Sequence, residues 1–248
     1  MTGRAVAVVQ ARMGSTRLPG KVMLPLGGVP ALAFMLRRVG RARAIDEVIV
    51  ATTISESDDV IAELAKRSSV AVRRGSEDDV LDRFHAAVAD LGLADEDVVV
   101  RLTGDCPFID PEVIDDVVRV ARDHPDVDYV SNVSPPTFPD GLDTEAVRLG
   151  ALRAAWLEAT DPGDREHVTS FIRANPARFP SLNVRCKLGD QSSLRLTLDE
   201  PDDYRLLAAL AEALGPDANL ADLVHHLAGR PDLVSWNDRF RRNEGSKT

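Results

Sequence analysis

The sequence predicts an α/β fold in which helices cover both faces of a mainly parallel sheet. Three observations carry this. Short β-branched runs alternate with longer segments of helical period, the pattern of successive βαβ units. Those runs are apolar on both faces, as strands held between helices are. The 248 residues, 44% hydrophobic and 28% charged, suffice for one large α/β domain with a filled core.

Taken in order, strands are expected at residues 5–10, 48–52, 70–73, 98–102 and 128–131, with helices between them at 31–43, 58–68, 77–91 and 112–123. The third helix carries Val80, Leu81, Phe84, Val88 and Leu91 on one stripe. Ser76, with Asp79 three residues later, resembles its capping box. The fourth is opened by Asp110-Pro111, a capping carboxylate followed by proline at the first helical position. After about residue 131 the rhythm breaks at the loop SPPTFPDG. A strand at 142–148, helices at 149–159 and 164–174, strands at 182–186 and 194–198, and helices at 202–214 and 220–229 are expected beyond it. Residues 1–242 read as a single domain, less regular from about 132, and 243–248 as a flexible tail.

Charge narrows the function. Forty acidic against thirty basic residues give a net charge of −10, which disfavours non-specific binding to nucleic acid or a membrane surface. Cys106 and Cys186 are too few for a disulfide framework. The N-terminal apolar run is too short for a secretory or membrane-spanning segment, so a cytoplasmic protein is expected. Any anionic ligand must then meet a local cluster of cations.

One such cluster follows the first strand: Gln10-Ala11-Arg12-Met13-Gly14-Ser15-Thr16-Arg17-Leu18-Pro19-Gly20-Lys21. Ligands of open α/β sheets bind outside the carboxyl ends of the strands. Glycines let backbone N–H groups approach an anion, and arginine offers a planar fork to phosphate oxygens. Lys21 stands out in a chain with 26 arginines and 4 lysines, as a position where a compact ammonium is wanted. Ala11, Arg12, Met13, Gly14, Ser15, Arg17 and Lys21 are therefore candidate phosphate- and nucleotide-binding residues. The loop is not a P-loop, because five residues separate Gly14 from Gly20 and Val22 replaces the Ser/Thr that follows the P-loop lysine. The plainer alternative is a surface loop of solvated charges.

Two further carboxylates, in Asp105-Cys106-Pro107 and Asp199-Glu200-Pro201, each follow an apolar strand. They are candidate Mg²⁺ ligands, since that ion is commonly held by one or two carboxylates plus substrate phosphates. Alternatively each caps a following helix. Cys106 reads as a small buried thiol and not a nucleophile.

QARMGSTRLPGKV and LGGVPALAFMLRRV resemble the opening of the cytidylyltransferase family, relatives of CMP-Kdo and CMP-sialate synthetases, and most resemble the branch of spore-coat polysaccharide biosynthesis proteins. The resemblance continues in order through GSEDDVLDRF, LTGDCPFIDP, FPDGLDTEA, REHVTSFI and LTLDEPDDY, over about residues 4–207. It implies a three-layer fold like that of the nucleotide-diphospho-sugar transferases, CTP as substrate, Mg²⁺ as cofactor and a homodimer. It places the metal on the positions of Asp105 and Asp199. It also brings Ser76 and Arg83 towards the base or ribose, although a capping serine and a surface arginine read equally well there.

Asp140, Asp143 and Glu145 suit the hydroxyls of a sugar-type acceptor, with Arg165 and Arg195 as balancing cations; the alternative is a solvated acidic strand edge. By family position Arg165 and His167 are expected on the acceptor side or at a dimer contact; the alternative is a helix start with satisfied polar groups. The expected reaction transfers CMP from CTP to that acceptor, expected to be a 3-deoxy-2-keto sugar acid, with Arg12, Arg17 and Lys21 catalytic. A phosphonate or sugar-phosphate acceptor would ask for many of the same residues. The rivals are a catalytically silent nucleotide-binding protein and a glycosyltransferase, whose Asp-x-Asp motif Asp126-Val127-Asp128 matches in letters but at the start of a strand, the wrong end for the ligand.

Overall fold

The computed structural model describes residues 3–242; the expected tail at 243–248 lies outside the described residues. The strands in chain order are β1 (Ala5–Gln10), β2 (Pro25–Leu26), β3 (Val29–Pro30), β4 (Glu47–Thr53), β5 (Ala71–Gly75), β6 (Val98–Thr103), β7 (Tyr129–Ser131), β8 (Glu145–Arg148) and β9 (Ser181–Asn183). Apart from the small β2–β3 hairpin they form one sheet in the order β5-β4-β1-β6-β8-β7-β9. β5, β4, β1 and β6 are mutually parallel, and β8 runs against both β6 and β7.

The helices are α1 (Ala31–Val39), α2 (Asp59–Arg67), α3 (Val80–Val88), α4 (Pro111–Asp123), α5 (Leu149–Glu158), α6 (Pro162–His167), α7 (Ser170–Ala174), α8 (Pro201–Leu214), α9 (Leu220–Ala228) and α10 (Pro231–Val234). None is long and apolar enough to cross a membrane.

Alternation along β1 shows how the layers form. Ala5, Ala7 and Val9 enter a core with α1, α2 and α4, whereas Val6 and Val8 enter another with α3 and α5. Each Leu or Phe enclosed on either face contributes about 1.5–3 kcal/mol. A third apolar nucleus joins Phe34 of α1 and Phe108 to Leu206, Leu207 and Leu210 of α8. Arg38, wholly buried between these layers, donates to the carbonyls of Phe108, Ile109 and Pro216.

Strand order reverses at β1: the chain first builds outward through β4 and β5, then crosses to β6 on the other side. Such a switch point opens a crevice at the strand ends. Gln10 is level with Thr103, so the chain leaves β1 and β6 side by side. A Cβ on Gly104 would lie 3.0 Å from both the Gln10 carbonyl and the Ala11 Cβ, so this close departure calls for glycine.

The structure corrects the sequence reading in the second half. Residues 194–198 are extended but make only one bridge, Arg195 with Asp140. Their backbone is stitched to loops instead: Leu196 N–H donates to the Asp140 carbonyl at 2.6 Å and Leu198 N–H to the Asp105 carbonyl at 2.7 Å. The helix expected at 164–174 is two, α6 and α7, broken at Val168, whose φ is 57°. No glycine or proline marks that break; burial of Val168 and Ile172 in the second core outweighs helical continuity. β8 begins at Glu145, not at Leu142. α3 begins three residues later than its expected start, capped by Asp79, whose carboxylate accepts from Asp82 N–H; Ser76 accepts from Asp79 N–H one turn earlier.

Candidate active site

A cleft of about 920 Å³ opens at the switch point. Its first wall is the loop after β1. Met13 organises that loop: its carbonyl accepts from Ser15 and Gly20 N–H groups at 2.9 and 3.1 Å, closing the turn, and its side chain packs beneath. Ala11, Arg12, Gly14, Ser15, Arg17 and Lys21 line the cleft, and Met13 does not. Arg12 is exposed, and among the described residues it has no ion pair in the protein, which leaves its guanidinium open to an incoming anion.

The opposite wall brings in Asp105 from the end of β6 and Asp199 from the extended segment before α8. Neither caps a helix. α4 is capped by Asp110, and α8 by Glu200 in a reciprocal pair with Asp203. Asp105 and Asp199 instead converge on one ammonium: Lys21 Nζ lies 2.8 Å from Asp105 Oδ2 and 2.7 Å from Asp199 Oδ1. Arg17 reaches Asp199 at 3.1 Å and Glu200 at 3.2 Å. Burial alone would lower the lysine, but the two aspartates raise it to about 12. Burial likewise pushes Asp105 up, and the Lys21 charge and hydrogen bond bring it down to about 2.

Two carboxylates meeting at one cation is the donor set Mg²⁺ takes from a protein when phosphate oxygens and water complete its shell. Among the described residues no group of three or more His, Cys, Asp or Glu side chains surrounds a point, so Asp105 and Asp199 are the pair that could hold such an ion here. Asp202 and Asp203 do not substitute for Asp199. Asp202 pairs outward with Arg239, and Asp203, wholly buried, is held by Arg195, Asn237 and the Asp199 and Glu200 N–H groups.

The far end of the cleft is lined by Asp140, Asp143, Glu145, Glu166 and His167. Asp140 pairs with Arg195 at 2.9 Å, and Asp143 with Arg242. Burial pushes Asp143 up, with Asp140 adding to the effect, and Arg242 only partly offsets it, leaving about 6. Gly141 sits between them at φ 101°, where a Cβ would run into the backbone of Leu196 and Thr197. Glu145 faces the cleft, but its oxygens already accept from Arg101, Tyr129 and Thr169. A ligand hydroxyl therefore finds readier acceptors in Asp140 and Asp143.

Besides Met13, two of the expected residues do not line the cleft. Arg165 is outside the cleft lining, its guanidinium engaged by Asp79 at 2.6–3.0 Å and by the Trp156 and Ala159 carbonyls. Ser76 is also outside, its hydroxyl accepting from Asp79. Arg83 does line the cleft and leaves its Nε without a partner. Sequence reasoning missed Arg101, Arg173 and Arg242, which line the cleft with Asp140, Asp143 and Glu145. Arg101 did have a signal, as the one charge in the apolar run VVVRLTG. Asp128 precedes β7 at the opposite end of the sheet, beside Asp95 and Arg148, so the Asp126-Val127-Asp128 triplet does not reach the cleft. Cys106 is buried, and burial pushes its thiol well up, keeping it protonated.

Comparison with known proteins agrees with this architecture. A family model described as cytidylyltransferase matches residues 6–212. The spore coat polysaccharide biosynthesis protein SpsF of Bacillus subtilis is 35% identical over 237 residues, 92% of this chain and 95% of that protein. The 8-amino-3,8-dideoxy-manno-octulosonate cytidylyltransferase of Shewanella amazonensis is 34% identical over 118 residues, 48% of this chain and 47% of that protein. A solved cytidylyltransferase from Leptospira borgpetersenii superposes with a TM-score of 0.89 at 32% identity, covering 97% of this chain and 100% of the other.

Proposed function

Because this chain belongs to the cytidylyltransferase family, we propose that its cleft transfers CMP from CTP to an oxygen of a sugar-type acceptor and releases pyrophosphate. The observation that carries the reading is the meeting of the β1 loop with Asp105 and Asp199 at the Lys21 ammonium. The acceptor oxygen attacks the α-phosphorus as the bond to the β-phosphate breaks. Such a transfer asks the protein chiefly for positioning and charge stabilisation. Arg12, Arg17 and Lys21, with the Gly14 N–H, hold the triphosphate and take up the charge of departing pyrophosphate. Asp105 and Asp199 would hold Mg²⁺, which when bound neutralises phosphate charge and orients the reacting groups. Arg83, a buried arginine of the cleft lining, is the candidate for the nucleoside side. Asp140 and Asp143 accept hydrogen bonds from acceptor hydroxyls, and Arg101 and Arg173 favour an acceptor carrying negative charge. An eight-carbon keto sugar acid, the substrate class in the name of the Shewanella relative, fits that balance.

The test incubates the purified protein with CTP, Mg²⁺ and a panel of sugar acids, sugar phosphates and phosphonates, reading pyrophosphate. Pyrophosphate dependent on both CTP and one acceptor class is expected. Lys21→Ala should lower turnover on the order of 10²–10³, the effect of removing a donor aimed at developing charge. Release of nucleoside diphosphate from a nucleotide sugar, or unchanged turnover in Lys21→Ala, would overturn the assignment.

A further inference from the structure

Asp58 occupies the N-cap position of α2, yet its side chain makes no capping hydrogen bond to that helix. Capping is what an aspartate there ordinarily does. Its carboxylate, 1% exposed, turns instead into the sheet end. Oδ2 accepts from Thr53 N–H at 3.2 Å, Thr53 Oγ1 at 2.6 Å and Thr52 Oγ1 at 3.1 Å. Oδ1 accepts from Met13 N–H, 45 residues away, at 2.7 Å. The Met13 peptide is thereby held on both sides: its N–H by Asp58, and its carbonyl by the Ser15 and Gly20 N–H groups that close the loop.

We infer that Asp58 is a positioning residue for nucleotide binding, anchoring the loop after β1 to the end of β4 through Met13. The inference rests on the nucleotide reading of that loop and adds what sets its register. Arg12 and Gly14 flank Met13, so a shift of the Met13 peptide moves both the guanidinium and the N–H groups offered to phosphate. Burial would push the Asp58 carboxyl up, but the four donors outweigh it and hold it below its ordinary value. It therefore stays an ionised acceptor, the form that binds a peptide N–H most strongly.

The experiment titrates wild type, Asp58→Asn and Thr53→Val with CTP and Mg²⁺ by calorimetry, with thermal unfolding of each. Asp58→Asn should fold cooperatively and bind CTP about 10- to 100-fold more weakly, as misplacement of a binding group by about an ångström does. Thr53→Val removes a hydroxyl from the same carboxylate without touching Met13; it should lower Tm and leave CTP affinity within about twofold. In the wild-type protein, amide exchange at Met13 should be slow before CTP is added, a reading independent of whether Asp58→Asn folds. Equal CTP affinity in Asp58→Asn and wild type, or a Met13 amide protected only once CTP binds, overturns the role of Asp58. Wild type that binds no CTP overturns the nucleotide reading itself.

Discussion

At Asp143 the cleft holds a carboxyl whose ionisation is opposed by burial and by its neighbour Asp140, and favoured only by Arg242. Its folded-state value is raised from 3.8 to about 6, so the folded chain binds this proton more tightly than the unfolded chain. The stabilisation from that proton is complete below about pH 3.8 and lost as the pH rises through about 6. Asp105 behaves oppositely. Lowered to about 2 by Lys21, it adds stability above its ordinary range and loses it only as the pH falls towards 2. Asp143→Asn isolates the first effect. The Tm difference between variant and wild type should move in favour of the variant between pH 4.5 and pH 7.5. A difference constant across that interval would mean that Asp143 is not held in the environment described.

The segment 194–198 and the N-terminus of α8 act as one element joined by Arg195. Its guanidinium meets Asp203 through Nε and Nη2 at 2.9 Å each, Asp140 at 2.9 Å and Asp199 at 3.3 Å. Arg195→Ala would leave Asp203 buried without its cation, which costs about 3–5 kcal/mol. Urea denaturation should show that loss, with weakened binding of CTP and Mg²⁺, because Asp199 is held by the same contacts. A variant within about 0.5 kcal/mol of wild type, the range of an ordinary surface change, would remove the argument. This element also shows where sequence reading stopped. β1 was legible to the residue because a strand buried on both faces is a continuous apolar run. LRLTL has the same look, but its backbone partners are the loops at Asp105 and Asp140, which alternation does not encode. The carboxylates were legible at the site because each ends an apolar run. Arg242 was not, since its approach depends on Asn237 docking a distant segment against Arg195 and Asp203.

For the whole molecule, two charge distributions make opposite demands on an anionic ligand. The net charge of −10 would repel CTP at a distance, while Arg12, Arg17 and Lys21 set three cations in the cleft proposed to bind it. Salt decides which field governs binding. Screening shortens the Debye length from about 10 Å at 0.1 M to about 3 Å at 1 M, weakening fields between exposed charges. If the overall charge dominated, added salt would relieve repulsion and lower KM for CTP. The local cluster should dominate, because its cations stand at contact distance and low-dielectric walls concentrate their field. The expectation is a KM for CTP that rises several-fold between about 50 and 500 mM KCl at fixed Mg²⁺, with kcat changing less. The rise should be shallower in Arg12→Gln than in wild type, since Arg12 is exposed and, among the described residues, makes no ion pair, whereas Arg17 and Lys21 are each paired with Asp199. A KM that falls with salt would show that the acidic surface, and not the loop after β1, sets the approach of the nucleotide.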